Sequence, residues 1–364
     1  MITTFSKYVI KTFFWHFFLL WLSFTALLQL FDLLNNADDI LRETNGGIHD
    51  LAEYAALRVP EIASFLIPFS VLLGTLLSLG KLERSNEILA FKAAGAPYYL
   101  VLVSFLPAVG LVGVMHFVMA DQIVPLSVAK LISSNLYPDK QSKTTDGTLN
   151  DIWVQDGSTV VEAGSVTQRG SVLNSVILYQ RGEDGNLQMV SKAATASFDR
   201  HQKDWILHDI WQSKILPDEA AQTTHIDSQV WSTRLTPAEF SNLVEQPQAM
   251  SLHKIWRLVS ASQIGVRPTY FYETWLQKRI ALPVGSVLMI LLAAPVAQSL
   301  QRRDRSLASG IAIGFLLGFL YFITDGLVMS LGESGAVPPF FAAWLPPLLF
   351  ASIGGIMLIR LEGY

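Results

Sequence analysis

Apolar runs of about 20 residues, long enough to cross a hydrocarbon core of about 30 Å at 1.5 Å per helical residue, recur six times along this chain. They cover Phe13 to Phe31, Ile62 to Gly80, Tyr98 to Ala120, Ile280 to Leu300, Leu307 to Leu331 and Val337 to Ile359. Nothing in a bilayer satisfies a free backbone amide, so each run is expected to be a helix. Composition agrees, since charged residues make up only 15% of the 364 positions. A soluble domain carries about 25%. Lys7 and Lys11 precede the first run, but its length and the lack of a small-residue cleavage site after Gln29-Leu30-Phe31-Asp32 predict an uncleaved anchor.

Orientation follows from the basic residues of the short connectors. Lys7, Lys11, Lys81, Arg84, Lys92, Arg302, Arg303, Arg305 and Arg360 fall on one side of the predicted spans. The opposite connectors are poorer: Asn35 to Pro60 holds Arg42 and Arg58 among several acids, and Gly332 to Ala336 holds no cation. Both termini are therefore expected in the cytoplasm and Asp121 to Tyr272 on the outer side. The predicted organisation is helical spans over 1–120, an outer β domain over 121–272, and helical spans over 273–364.

The outer region is large enough for a core of its own. Short strand-like runs flank turn signals: Ile152 to Val154 and Thr159 to Glu162 around Asp156-Gly157, then Val176 to Gln180 and Leu187 to Val190 around Gly182-Glu183-Asp184-Gly185. Others follow at Ala194 to Phe198, Trp205 to Leu207, Trp211 to Ile215 and Thr223 to Trp231. Their spacing predicts an all-β domain, sandwich or jelly-roll-like. Thr236-Pro237-Ala238-Glu239 reads as a helix start, and Ser251 to Ser262 as a helix returning to the bilayer.

Between the second and third spans lies Lys81 to Pro97, KLERSNEILAFKAAGAP. It reads as a short helix over about 82–95, capped by Ser85 and stopped by Gly95-Ala96-Pro97. So short a helix is marginal alone, and its apolar residues Ile88, Leu89 and Phe91 need a surface to cover them. With Glu87 and Lys92 they form a candidate docking element for a cytoplasmic partner. A solvated face is the plainer reading of those two charges.

Catalytic motifs are missing. Gly74 to Leu82 approaches a phosphate loop but has five intervening residues where four are needed, and Leu82 stands where Ser or Thr would bind Mg²⁺. Any ATP must be hydrolysed by another chain. His16, His49, His116, His201, His208, His225 and His253 form no HExxH pair, the chain has no cysteine, and the β region holds no Gly-x-Ser-x-Gly elbow. No metal site or cofactor is expected, although His201 and His208 could meet in space. The net charge of −4 argues against nucleic acid.

Within the spans, Asp325 is the most informative charge: burial in lipid is costly, so it is expected to face the bundle, a wet cavity or the interface. Gly310, Gly314 and Gly318 place three small residues on one face of the fifth span, suited to close packing or to a sliding seam. Asp32 and Glu61 at span ends read as solvated acids.

The ordered set PFSVLLGTLLSLGKLERSNEILAFKAAGAP, DIWVQDG and GIAIGFLLGFLYFITDG resembles the LptF/LptG permeases of lipopolysaccharide export across nearly the whole chain. Ser309 to Gly326 and Val337 to Arg360 look more like the LptG branch, Leu79-Gly80-Lys81-Leu82 more like the LptF branch. The resemblance implies a bacterial inner-membrane permease without covalent chemistry. It would pair with an LptF-like paralogue on an LptB-like ATPase dimer, with an LptC-like membrane protein alongside. Lipopolysaccharide would enter sideways at seams involving spans one and five, then pass to a periplasmic bridge. Carried over, Glu87 matches the acid of the coupling helix and Asp325 the acid of span five. Gln29, Asp32, Gly314, Gly318 and Asp325 become candidates for the lipid cavity or lateral gate. Family members often carry cations near the outer end of span one; here Arg42 and Arg58 are the nearest candidates for headgroup contact. The residues alone leave open two rivals, a membrane-anchored periplasmic lipid-binding or sensing protein and an ATP-independent secondary transporter.

Overall fold

The computed structural model describes residues 4–43, 48–95, 97–134, 149–156, 158–167, 171–182, 186–199, 204–215, 222–233, 235–237, 247–260, 268–302 and 307–362. Gly157, Glu183 to Gly185, His201, Ala238, Glu239, Arg303 and Arg305 lie outside them, and so do the side chains of Arg42 and Arg302. The chain divides into two compact units, one comprising Met1–Pro138, Gln248–Leu252 and Glu273–Tyr364, the other Asp139–Pro247 and His253–Tyr272.

The first unit is a helical bundle. Its helices are α1 (Thr4–Glu43), α2 (Ile48–Arg84), α3 (Glu87–Ala93), α4 (Tyr98–Val118) and α5 (Val124–Ser133), the last two joined by a π turn at Met119–Ile123. Downstream come α6 (Leu252–Ser260), which belongs largely to the other unit, and then α7 (Thr269–Arg302), α8 (Leu307–Glu333) and α9 (Pro339–Glu362). Among the described residues, six helical segments are long and apolar enough to cross a membrane, as the sequence predicts. They are not equally covered by protein: 83% of the apolar window of α2 is buried, against 17% in α1 and in α8. Span two is thus the core of the bundle, around which Phe13, Phe17, Phe105, Leu292 and Tyr321 gather.

The helices outrun the expected spans. The connector anticipated over Asn35 to Pro60 is mostly helix, and the third span continues past Ala120 to Ser133. Packing explains this: Ile40 of α1, Tyr54 of α2 and Leu131 of α5 form a satellite core with Leu33, Leu51 and Leu57. Apolar residues at helical spacing among the acids of this stretch were enough to keep it helical.

The second unit holds one six-stranded antiparallel sheet in the order β1-β2-β3-β4-β5-β6. The strands are β1 (Leu149–Asp156), β2 (Thr159–Thr167), β3 (Val172–Arg181), β4 (Leu187–Asp199), β5 (Asp204–Lys214) and β6 (Gln222–Trp231). Short connections pair each strand with its sequence neighbour, so the all-β insert is a meander, with no second sheet among the described residues. Runs read as separate strands, Leu187 to Val190 with Ala194 to Phe198 and Trp205 to Leu207 with Trp211 to Ile215, are halves of β4 and β5.

A crease accounts for that division. Between flanking ladder pairs, Asp151, Gly164, Ser175, Ala194, Asp209 and Asp227 line up across the strands without pairing. On either side of this line the buried set changes parity: Val161 and Ala163 against Val166, Leu173 against Val176 and Leu178, Ala193 against Ala196, Trp205 and Leu207 against Ile210. Each strand spends one residue turning, as at a β-bulge, yet register survives because all six do so together. Ser175 and Asp209 take left-handed backbone there, at φ 52° and 54°. Both halves of the sheet consequently direct their apolar residues into one core, closed by Trp205, whose indole N–H donates to the Leu235 carbonyl at 2.7 Å.

Candidate functional site

The connector α3 is built differently from the sequence expectation at its start. Span two stays helical to Arg84, and the residue before α3 is Asn86, whose backbone is left-handed at φ 58°. Ser85 does not cap α3: its hydroxyl bonds the Lys81 carbonyl at 3.0 Å and Glu87 Oε1 at 2.7 Å. The end is as expected, with Gly95 at φ 84° and its N–H donating to the Lys92 carbonyl at 2.9 Å.

The docking residues separate by direction. Ile88 is 1% exposed and joins the bundle core, so it anchors α3 instead of facing outward. Phe91 stacks on Phe5 of α1 at 4.7 Å between ring centroids. Leu89 is 55% exposed and is the large apolar side chain that α3 turns away from the bundle. Lys92 is exposed and its ammonium lies over the Tyr98 ring at 4.9 Å. Glu87 Oε1 accepts a hydrogen bond from the Tyr8 hydroxyl of α1 at 3.2 Å. The connector is thereby fastened to the start of span one.

At the opposite end of spans one and two, the isolated acids of the sequence reading form a network. Asp32 accepts from the Tyr54 hydroxyl at 2.6 Å and lies 3.5 Å from the Arg58 guanidinium, which also pairs with Glu61. Asp32 and Glu61 are therefore partnered and mostly shielded, unlike solvated acids. Arg58 already has two carboxylates around it. Gln29 is buried and donates to the Ala55 carbonyl at 3.3 Å, tying α1 to α2. Arg42 lies in α1.

On span five, the glycine face packs against span two. A Cβ on Gly314 would lie 2.8 Å from Leu73, and one on Gly318 would lie 2.4 Å from the Phe69 ring. Asp325, further along α8, is ion-paired with Lys278 of α7. Lys278 and its neighbour Arg279 escape sequence reasoning because they stand just before the apolar run that starts at Ile280. Arg279 is buried and donates to three carbonyls: Ala120 in the π turn, and Gln248 and Met250, the last two at 3.0 Å. A π turn breaks the regular helical ladder, leaving a carbonyl available to such a donor. Deeper in the bundle His116 meets Ser286 at 2.7 Å and His16 meets Ser78 at 3.0 Å. Each joins two spans, and in the sheet His208 meets Ser197 at 3.1 Å.

This arrangement brings together helices one, two, three and eight, and contains polar groups placed for pairing helices. Comparison with known proteins gives it a family. The family model "Lipopolysaccharide export system permease LptF/LptG" matches residues 7–360. The LptG permease of Haemophilus influenzae (strain ATCC 51907 / DSM 11121 / KW20 / Rd) is 23% identical over 361 residues, 96% of this chain and 96% of that protein. The LptG permease of Escherichia coli (strain K12) is 24% identical over 330 residues, 88% of this chain and 89% of that protein. With its membrane-length helices, its β insert and a match running almost end to end, the chain belongs to the LptF/LptG family of lipopolysaccharide export system permeases.

Proposed function

We propose that this chain is one permease subunit of an ATP-driven exporter that takes lipopolysaccharide from the outer leaflet of the bacterial inner membrane and hands it to a periplasmic bridge. Both termini and α3 are assigned to the cytoplasm. The insert 121–272 is assigned to the periplasm, between the spans of 1–120 and those of 273–364. An LptF-like paralogue completes the cavity, an LptB-like ATPase dimer supplies the energy, and an LptC-like membrane protein completes the complex.

The observation that carries this reading is the attachment of α3 to α1 through Tyr8–Glu87 and Phe5–Phe91. The ATPase docks on the side of α3 that presents Leu89 and Lys92, with Glu87 at its edge, while Ile88 and Phe91 transmit movement inward. Span one receives that movement, and it is among the least covered of the membrane helices. Span five is the other, and its Gly314 and Gly318 provide the seam against span two. Gln29, Asp32 and Asp325 hold the walls through their helix-pairing contacts. Arg58 and Arg42 meet headgroup phosphates, Arg58 by exchanging a carboxylate for a phosphate. The work demanded is large, because burying each acyl methylene is worth about 0.8 kcal/mol and the cargo carries many.

Reconstitution tests the proposal. Proteoliposomes holding this chain, its paralogue and the ATPase should release lipopolysaccharide to a soluble periplasmic acceptor when ATP is supplied inside the complex's cytoplasmic face. Release that is equal without ATP would refute it. Retention of the lipid by the β insert with no release under either condition would favour an anchored binding protein.

A further inference from the structure

Glu83 stands in the last turn of α2, just before the joint with α3. The cations beside it on α2, Lys81 and Arg84, are exposed. Glu83 itself is only 6% exposed, and its Oε1 is buried with no hydrogen-bond partner among the described residues. A carboxylate taken out of water and left unpaired is among the costliest arrangements a fold can hold. Neither the docking surface of α3 nor the seams between the spans employ it.

Lys92 of α3 is the cation whose charge acts on Glu83. No ion pair joins the two among the described residues; the Lys92 ammonium instead lies 4.9 Å from the centre of the Tyr98 ring, on an exposed side chain. A cation over an aromatic face in contact with water is held weakly. Between Glu83 and Lys92 the chain turns at a single left-handed residue, Asn86, at φ 58° and ψ 16°. The Asn86 N–H donates to the Glu83 carbonyl at 3.0 Å, and the Asn86 carbonyl accepts from the Ala90 N–H at 2.9 Å. Both helices are therefore hinged on this residue, and asparagine tolerates such backbone better than most side chains.

A protein seated on Leu89 and Lys92 removes the Lys92 ammonium from water. The Tyr98 ring alone does not compensate a desolvated cation, whereas a buried carboxylate does. The long, flexible lysine stem and the hinge at Asn86 let the charge move inward.

We infer that Glu83 is the inner seat of a latch: when a protein docks on α3, the Lys92 ammonium leaves the Tyr98 ring and pairs with the Glu83 carboxylate, which carries the docking event to the end of span two. Glu83 is a positioning residue, and the inference rests on the docking of the ATPase at α3.

Glu83→Gln tests it, because the substitution removes the charge and keeps the shape. The purified full-length variant should melt a few degrees higher than the unsubstituted chain, since an unpaired buried charge is gone; a residue with a merely structural role would lower the melting temperature. Assembled with its paralogue, the variant should recover the ATPase in full. ATP-driven lipid release, measured per ATPase bound, should fall about tenfold, the share of one hydrogen bond between charged groups. Lys92→Met should lower it similarly, and the two substitutions together should lower it no further. A water-soluble carbodiimide, which joins an amine to a carboxylate in contact with it, should link Lys92 to Glu83 in the ATPase-bound complex and not in the chain alone. Undiminished release by Glu83→Gln, or losses that multiply in the double variant, would overturn the inference. A link from Lys92 to a carboxylate of the ATPase in place of Glu83 would overturn it too. Those results leave the permease function standing as long as the ATPase is recovered, whereas an unsubstituted chain that recovers no ATPase counts against that function itself.

Discussion

The Tyr8 hydroxyl reaches Glu87 at 3.2 Å, joining the first membrane helix to the connector between the second and third. Two elements far apart in sequence are thus fixed to one another. Because Phe5 stacks on Phe91 beside them, the contact has an apolar as well as a polar component.

Separating docking from transmission is possible at this joint. Glu87→Lys should reduce co-purification of the ATPase by about tenfold or more, since a charge reversal at a protein contact costs on the order of 2 kcal/mol. Tyr8→Phe should leave ATPase recovery unchanged and lower ATP-driven lipid release about two- to tenfold, the range of one hydrogen bond of about 0.5 to 1.5 kcal/mol. Quantitative recovery of the complex with Glu87→Lys would remove the docking role.

Span five meets span two where glycine leaves no room for a side chain. Gly318→Leu must displace the Phe69 ring, and overpacking of this kind costs about 1 to 3 kcal/mol. Thermal unfolding in detergent should fall by several degrees, and pairing it with Phe69→Ala should recover part of the loss. A double variant no more stable than Gly318→Leu alone would show that the contact is unimportant.

Lys278 and Asp325 bind α7 to α8. Asp325→Leu leaves the Lys278 ammonium without its partner, which for a buried pair costs about 3 to 5 kcal/mol. Membrane insertion should be nearly normal, with stability and transport impaired; Lys278→Met combined with Asp325→Leu should restore most of the stability. Normal export by Asp325→Leu would make the residue incidental.

The crease predicts an inverted preference at Asp209. Left-handed backbone costs an ordinary residue about 1 to 2 kcal/mol, and a β-branched one more. Asp209→Gly should therefore be tolerated or slightly stabilising despite losing its 2.8 Å contact to His225, while Asp209→Val should destabilise the full-length protein. Differential scanning fluorimetry of the two variants decides; equal melting temperatures would show that the strain is absent.

Much of the bundle was legible because apolar length is a direct consequence of the bilayer. What was lost lay at the edges. Helix α1 runs on past Asp32 because Leu33 and Ile40 pack into a satellite core, a tertiary effect that the acids around them disguise. Strands β4 and β5 looked like pairs of short strands because Ala194 and Asp209 reverse the alternation that marks a strand. Ser85 was a reasonable cap by residue type, yet its hydroxyl found Lys81 and Glu87. Glycine spacing in span five correctly marked a packing face, but only the fold identifies Phe69 and Leu73 as its neighbours. Lys278 and Arg279 were hidden for the opposite reason: as charges beside an apolar run they looked like its boundary, whereas ion pairing and carbonyl contacts bury them within the helix.

Purification of the native chain in mild detergent, with mass spectrometry of bound protein and lipid, tests the permease account most directly. The account predicts an ATPase, a second six-span permease and a multiply acylated glycolipid retained together, with the ATPase lost in Glu87→Lys. A solitary chain carrying bulk phospholipid alone, under conditions that preserve membrane complexes, would contradict it.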